Sequence, residues 1–385
     1  MKKIFLASLS MFLLLAGCVP NFNREEEVVQ QTGDANENEK ATIPKYKVSD
    51  EYYQTILPFK PSESRGLVVN NLNTKYDINE FETGLMRAAQ RTFDPKRYVF
   101  QEGQLLDSET VRSWLNRNFT SEQLQSRQLS EEENLGLNPV DDGQGDARER
   151  AEKSPIYLAH IMEHNYLEKV DEKTVRLGGI VIGLALNSIY YYQADGLSYE
   201  QAIDQAKLES EGKRIAQEIV NRLRGMEDAG DVPITVALFK QAPKTSVVPG
   251  NFFAVATAAK GSSDLGDWQN INEKYILFPP EETTNESQQF EKFKQEVADY
   301  FPNFNGIVGR GFYVDNQLRE LSIEIPIQFY GKAEGIGFTQ FITGKVVEIF
   351  PNDFSVQVSI TSINGPEALI VRKAGEDEPF VHIYD

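Results

Sequence analysis

His160-Ile161-Met162-Glu163-His164 is the stretch of this 385-residue chain with the most recognisable chemical potential. It has the H-x-x-E-H spacing of inverted zincins. On a helix, His160 and His164 at i and i+4 share a face, so both imidazoles can ligate one Zn2+ while Glu163 serves as base. The pattern uses two of the three histidines in the chain. A peptidase of this type also needs a glutamate ligand from a second helix. No Glu lies between Glu227 and Glu273, and Glu209 and Glu218 have no supporting context. A motif without its context is weak. A half-exposed amphipathic helix from Pro155 to about Val170, packed through Tyr157, Leu158, Ile161 and Met162, accounts for the same residues. A zinc-dependent peptidase using His160, Glu163 and His164 is therefore the alternative reading, and no catalytic residue, metal ligand or cofactor is assigned.

Three further segments invite a chemical reading. Gly331-Lys332-Ala333-Glu334-Gly335-Ile336-Gly337 sits between a predicted strand and a predicted helix, where anion-cradling loops occur. Gln340 occupies the third glycine position of G-x-G-x-x-G, and a plain β–α turn explains the segment better. Leu177-Gly178-Gly179-Ile180-Val181-Ile182-Gly183 reads as a buried central strand. Tyr190-Tyr191-Tyr192 could line a peptide or glycan groove, with strand packing as the default.

The single cysteine is the most informative residue. Lys2 and Lys3 precede a run from Ile4 to Leu15 that is apolar apart from Ser8 and Ser10. Such a run is short for a membrane span, which needs about 20 apolar residues, and matches an export signal. Leu15-Ala16-Gly17-Cys18 fits the lipobox of bacterial lipoproteins. There the thiol receives a diacylglyceryl group, and cleavage between Gly17 and Cys18 makes Cys18 the new N-terminus. Each buried CH2 of such an anchor contributes about 0.8 kcal/mol. Residues 1–17 are thus expected to be a signal peptide, and the remainder to sit outside the cytoplasm, anchored to the outer face of the cell membrane. Residues 18–47, with Glu25-Glu26-Glu27 and Asn36-Glu37-Asn38-Glu39, are expected to form a disordered acidic tether.

Composition narrows the rest. The chain carries 39 Lys+Arg against 58 Asp+Glu, a net charge of −19, which becomes −21 once Lys2 and Lys3 leave with the signal peptide. Such a surface repels phosphate backbones, which argues against a nucleic-acid partner. One thiol forbids an internal disulfide framework.

The elements suggest two related α+β units. In residues 263–385, a strand at Lys274–Phe278 precedes a helix opening near Asn285 and stopped by Pro302. A strand from Gly306 to Val314 follows, then one with Leu321, Ile323, Ile325 and Ile327 alternating with polar residues. Pro326 suggests an edge position for that strand. A helix with Phe338, Ile342 and Val346 on one face leads to the strand of Val356, Val358 and Ile360. The order β-α-β-β-α-β is that of ferredoxin-like split βαβ units. Residues 48–262 repeat it with strands at Gly66–Asn70, Tyr98–Gln101, Leu177–Leu186 and Val232–Leu238, and helices near Asp77 and after Ser198. A helical insertion, residues 104–175, separates the central strands. Extra C-terminal strands, Phe252–Val255 and Ala368–Val371, correspond as well, so the pattern reads as a tandem duplication.

Together with the lipobox, the acidic tether and this duplicated part, Leu57-Pro58-Phe59-Lys60-Pro61-Ser62, Arg65-Gly66-Leu67-Val68 and Ser154-Pro155-Ile156-Tyr157-Leu158-Ala159 resemble the CamS lipoproteins of Bacillus, Staphylococcus and their relatives. Those proteins are described as sex-pheromone precursors, and the resemblance spans essentially the whole chain. It implies a lipoprotein on the outer face of a Gram-positive membrane. It also implies a signal peptide trimmed to a short apolar peptide sensed by plasmid-bearing enterococci. The source would lie within Ile4 to Gly17, for instance Phe12 to Gly17. Ile4-Phe5-Leu6-Ala7 follows part of the family's Ala-Ile-Phe-Ile-Leu-Ala pattern. The expectation is a non-enzymatic binding or scaffold protein that meets an unidentified protein, peptide or cell-wall partner.

Overall fold

A computed structural model describes residues 25–31, 38–49, 52–171, 173–300 and 306–385. The signal peptide, Gly17 and Cys18 lie outside the described residues. Within them the chain is α+β, with three sheets.

The first sheet has nine strands. They are β1 (Glu25–Gln31), β2 (Asn38–Pro44), β3 (Gln54–Thr55), β4 (Tyr98–Glu102), β5 (Leu158–Asp171) and β6 (Thr174–Asn187), followed beyond a separate hairpin by β9 (Ile234–Gln241), β10 (Asn251–Ala258) and β11 (Gln269–Asn270). That hairpin is β7 (Ile189–Ala194) with β8 (Leu197–Ala202). The main order is β11-β10-β9-β6-β5-β4-β3, with β1 and β2 joined to β6 off this path. Six helices accompany it: α1 (Val68–Asn71), α2 (Lys75–Ala89), α3 (Ser108–Leu115), α4 (Ser121–Arg127), α5 (Ala147–Lys153) and α6 (Gln205–Arg224). Side chains of β6 divide by parity. Ile180, Ile182, Leu184 and Leu186 join the core under α3 and α6, whereas Val181 and Ala185 join the core under α2. A sheet covered on both faces produces a continuous apolar run rather than an alternating one, and this explains Leu177 to Gly183. Gly179 permits a close approach: a Cβ there would stand 2.1 Å from the Phe93 ring.

The second sheet runs in simple order, β12 (Glu273–Phe278), β13 (Val308–Val314), β14 (Gln317–Pro326), β15 (Ser355–Ser362), β16 (Gly365–Arg372) and β17 (Phe380–Ile383). Helices α7 (Asn285–Tyr300) and α8 (Lys332–Ile349) cover one face, with Phe290, Phe293, Phe338 and Ile342 packed on Leu321, Ile323 and Val358.

Several expectations need correction. In a split βαβ unit the two strands joined by the first helix are separated by a third strand. Here β12 and β13 are antiparallel neighbours. The apolar strand β14 is interior, antiparallel to β13 and parallel to β15, and Pro326 ends it instead of marking a sheet edge. The first-unit strand expected at Gly66–Asn70 is helical: Arg65–Leu67 forms a 3-10 turn that runs into α1. Two valines in a row carry no period from which to choose. The insertion 104–175 contributes β5, a core strand beside β6, and not only helices. The expected tether, 18–47, contains the β1–β2 hairpin. It buries Val28 and Ile43 and pairs Val29–Gln31 with Thr174–Arg176. Both large sheets nevertheless share one sequence of connections, an antiparallel pair, a helix to a parallel neighbour and a second antiparallel pair.

One buried cation stabilises the second sheet. Arg372, at the end of β16, is 2% exposed. Its Nη1 donates to the carbonyls of Phe350 at 2.9 Å and Val346 at 3.3 Å, and Nη2 donates to Pro351. These carbonyls terminate α8, where the helix dipole favours a cation. Arg372→Met is expected to leave them unsatisfied and lower stability by about 2 kcal/mol, read as a reduced urea midpoint.

Candidate functional site

The H-x-x-E-H segment lies on β5, not on a helix. Its burial on both faces hides the alternation that would have marked it as a strand. Residues alternate across a strand, and the contacts follow this rule: Ile161 enters the core under α3, while Met162 packs on the core under α2. His160 and His164 therefore share the α2 side, and Glu163 points to the other. Four strand residues span roughly 13 Å, so the helical argument for two histidines on one zinc has no support. Among the described residues no group of three or more His, Cys, Asp or Glu is placed to hold a metal ion.

Glu163 has a local structural task. Its Oε1 accepts from the backbone N–H of Gln104 at 3.1 Å, and Oε2 accepts from Leu105 at 3.1 Å and Leu106 at 2.8 Å. Burial pushes this carboxyl up, and those three N–H groups pull it back. The turn approaches so closely that a Cβ on Gly103 would stand 2.4 Å from the Glu163 Cβ.

On the opposite face the two histidines form the floor of a cavity of about 430 Å3. Ser62, Ser64, Arg65, Gly66, Val68 and Val69 make one wall, α2 supplies Ile78 and Glu82, and Glu102 closes the end of β4. The wall is tied down at Glu102. Its Oε2 accepts from the Ser62 N–H at 2.6 Å, and its Oε1 lies 3.4 Å from Arg65 Nη1. The Ser62 and Ser64 hydroxyls share a 2.9 Å hydrogen bond beside it. His160 Nδ1 accepts from Asn71 Nδ2 at 3.3 Å, which places the imidazole proton on Nε2. The His164 ring stands edge-on to Phe100 at 4.9 Å, and its Nδ1 has no partner among the described residues. Burial pushes His160 down to about 4 and His164 down to about 3. Both are neutral at physiological pH. The chemistry offered is an apolar recess with neutral imidazoles below and carboxylates and one guanidinium above.

Sequence reasoning found His160, Glu163 and His164 but not Ser62, Ser64, Arg65, Glu82 or Glu102 as companions. A signal existed, because Ser62 and Arg65 to Val68 belong to the segment that carried the family resemblance. The other candidates lie elsewhere. Gly331 precedes α8, and Gly335 and Gly337 belong to its first turns. Tyr190 and Tyr192 stack at 5.8 Å on the β7–β8 hairpin, and Tyr192 stacks on Tyr199 at 5.6 Å.

This architecture, a large sheet sandwiched by helices beside a smaller one, is shared with solved precursor proteins. A family model, the CamS sex pheromone cAM373 precursor, matches residues 59–378. The crystal structure of a sex pheromone precursor from Lactobacillus salivarius subsp. salivarius UCC118 is similar over 88% of this chain and 98% of that one. Identity is 30% and the TM-score 0.79. The C-terminal domain of the sex pheromone staph-cAM373 precursor from Staphylococcus aureus covers 82% of this chain and 98% of its own, at 34% identity and a TM-score of 0.70. No curated protein sequence matches. The chain belongs to the CamS sex pheromone precursor family. No helix among the described residues is long and apolar enough to cross a membrane.

Proposed function

We propose that this precursor is a lipid-anchored, extracytoplasmic binding protein without enzymatic activity, attached through a diacylglyceryl group on Cys18. Its signal peptide, released by cleavage between Gly17 and Cys18, is the source of a short pheromone-like peptide. The two large sheets are the products of a tandem duplication of the strand–helix–strand core. The observation that carries the binding reading is the cavity over His160 and His164, walled by residues of the family segment and lined by Val68, Val69, Ile78 and Met162 with Glu82 and Arg65 beside them. Its volume lies within the range of small-molecule sites. An acidic surface is repelled by an anionic membrane, which assigns membrane retention to the lipid.

The cavity can be tested without knowing its natural occupant. Gly66 lines the recess, and a Cβ there meets no atom within 4 Å, so a large side chain can be placed at the cavity wall at little cost to the fold. The apolar fluorophore N-phenyl-1-naphthylamine is expected to bind the mature chain once, and Gly66→Phe is expected to weaken it at least tenfold with an unchanged melting temperature. Equal binding by both chains would refute the site. For the anchor, Cys18→Ala is expected to abolish labelling by a palmitate analogue, with the protein released to the medium or left unprocessed. A cleaved, membrane-retained Cys18→Ala chain would refute lipidation.

A further inference from the structure

The β7–β8 hairpin belongs to neither large sheet and carries a row of tyrosines. Side chains alternate across a strand, so Tyr190 and Tyr192 share one face of β7. Tyr199 pairs with Tyr192 directly across the hairpin and continues the row. Neighbouring ring planes lie within 22° of each other, at centroid distances of 5.8 and 5.6 Å. The outermost ring, Tyr199, is 43% exposed, and Tyr190 and Tyr192 are half-buried. At its inner end the row opens on a recess of about 110 Å3, lined also by Arg117, Asp141, Arg150 and Gln193. Asp141 is already engaged: Arg150 donates Nε to its Oδ1 at 2.9 Å and Nη2 to its Oδ2 at 2.6 Å. Arg117 has no such partner. Its Nη1 donates to the Pro139 carbonyl at 3.0 Å and its Nη2 to the Tyr190 hydroxyl at 3.4 Å. It makes no ion pair among the described residues. A guanidinium has five N–H donors, so Arg117 keeps donors for an anion. The half-exposed Arg150 keeps those of Nη1. Two guanidiniums against one carboxylate leave the recess positive, in a chain whose net charge is −19.

We propose that the hairpin binds an acidic oligosaccharide, with a carboxylate of one sugar on Arg117 at the recess and the neighbouring sugars laid along Tyr192 and Tyr199. The electron-rich face of a tyrosine ring receives the C–H face of a pyranose, and the planar guanidinium matches a carboxylate. An extended peptide would instead seek the backbone groups of a strand edge, whereas the tyrosine row lies on a face of the hairpin. The site shares no residue with the cavity over His160 and His164.

The test is calorimetric titration of the mature chain, at one ionic strength, with trigalacturonate, its neutral counterpart galactotriose and the acidic peptide Asp-Asp-Asp. Trigalacturonate is expected to bind at least fivefold more tightly than either of the others. Tyr199→Ala, at an exposed position, should weaken trigalacturonate severalfold with an unchanged melting temperature. Arg117→Gln should remove the preference for trigalacturonate over galactotriose. Gly66→Phe, which alters the other cavity, should leave trigalacturonate binding as it is in the wild type. No binding of trigalacturonate, equal binding of galactotriose or the peptide, or an affinity indifferent to Tyr199→Ala would overturn the proposal. Loss of trigalacturonate binding in Gly66→Phe would overturn it as well, by placing the sugar in the cavity over the histidines.

Discussion

Replacing Arg87 with methionine is expected to destabilise the folded chain by about 3–5 kcal/mol, the cost of breaking a buried ion pair by removing one partner. Arg87 sits on α2, against the first sheet, and reaches the second. Its Nη2 donates to Glu80 at 2.5 Å and to Glu273 at 2.6 Å, and its Nε donates to Glu273 at 3.1 Å. The Tyr275 hydroxyl donates to the other Glu80 oxygen at 2.6 Å, and the guanidinium lies over the Phe312 ring at 4.6 Å. The Glu80 and Glu273 side chains are 6% and 9% exposed. Without Arg87, two carboxylates would face each other out of water with only a tyrosine hydroxyl between them. Burial already pushes the Glu80 carboxyl up, and Arg87 is the main group pulling it down. In the variant the folded chain would therefore bind protons more readily than the unfolded one. The gap to the wild type should narrow as pH falls. Urea titrations at two pH values, with a double-mutant cycle against Glu273→Gln, measure this. A loss below about 1 kcal/mol, or independent effects of the two substitutions, would show that the network does not join the two sheets.

Acid should destabilise the wild type more than a chain with glutamine at both His160 and His164. Both imidazoles have folded-state values below that of an unfolded histidine, about 4 and about 3, because burial disfavours the cation. Their contribution is present in full above roughly pH 6.5. It is lost as pH falls toward the folded values, because only the unfolded chain takes up the protons. Each pH unit in that window costs about 1.4 kcal/mol per histidine. Between pH 6.5 and 4.5 the wild type should thus lose up to about 5 kcal/mol relative to His160→Gln/His164→Gln. The buried carboxyls of Asp77, Glu80 and Glu163 are pushed up and act in the opposite sense. They are common to both chains and cancel in the difference. Parallel stability curves would refute the burial of the histidines.

Much of the fold was legible where one face is buried and the other wet. Leu321, Ile323 and Ile325 announced β14, and the helical spacing of Phe338, Ile342 and Val346 announced α8. The failure that mattered most for the site has a local cause. On β5, burial on both faces replaced the two-residue period with a mixed run, and His160 and His164 at four-residue spacing imitated a helix face. The change of element moved the chemistry, because four residues place two side chains side by side on a helix but roughly 13 Å apart on a strand. Sheet order was not legible either, since a helix can join parallel or antiparallel strands and the choice rests on long-range pairing such as Leu321 with Val356. The site was half visible. The histidines stood out by type, whereas Glu82 and Glu102 reach the same cavity only through the packing of α2 and β4 on β5.

Because His160, His164 and His382 are the only histidines, a chain labelled with 15N in histidine alone carries three reporters, two of them on the cavity floor. Followed from pH 7.5 to 5.5, the His160 and His164 imidazoles are expected to remain neutral, with the His160 proton on Nε2. Addition of N-phenyl-1-naphthylamine should shift the ring nitrogens of His164, and leave His382 on the exposed strand β17 unmoved. Protonation of either buried ring near pH 6.5, or His164 signals indifferent to the fluorophore, would contradict a dry floor beneath a binding cavity.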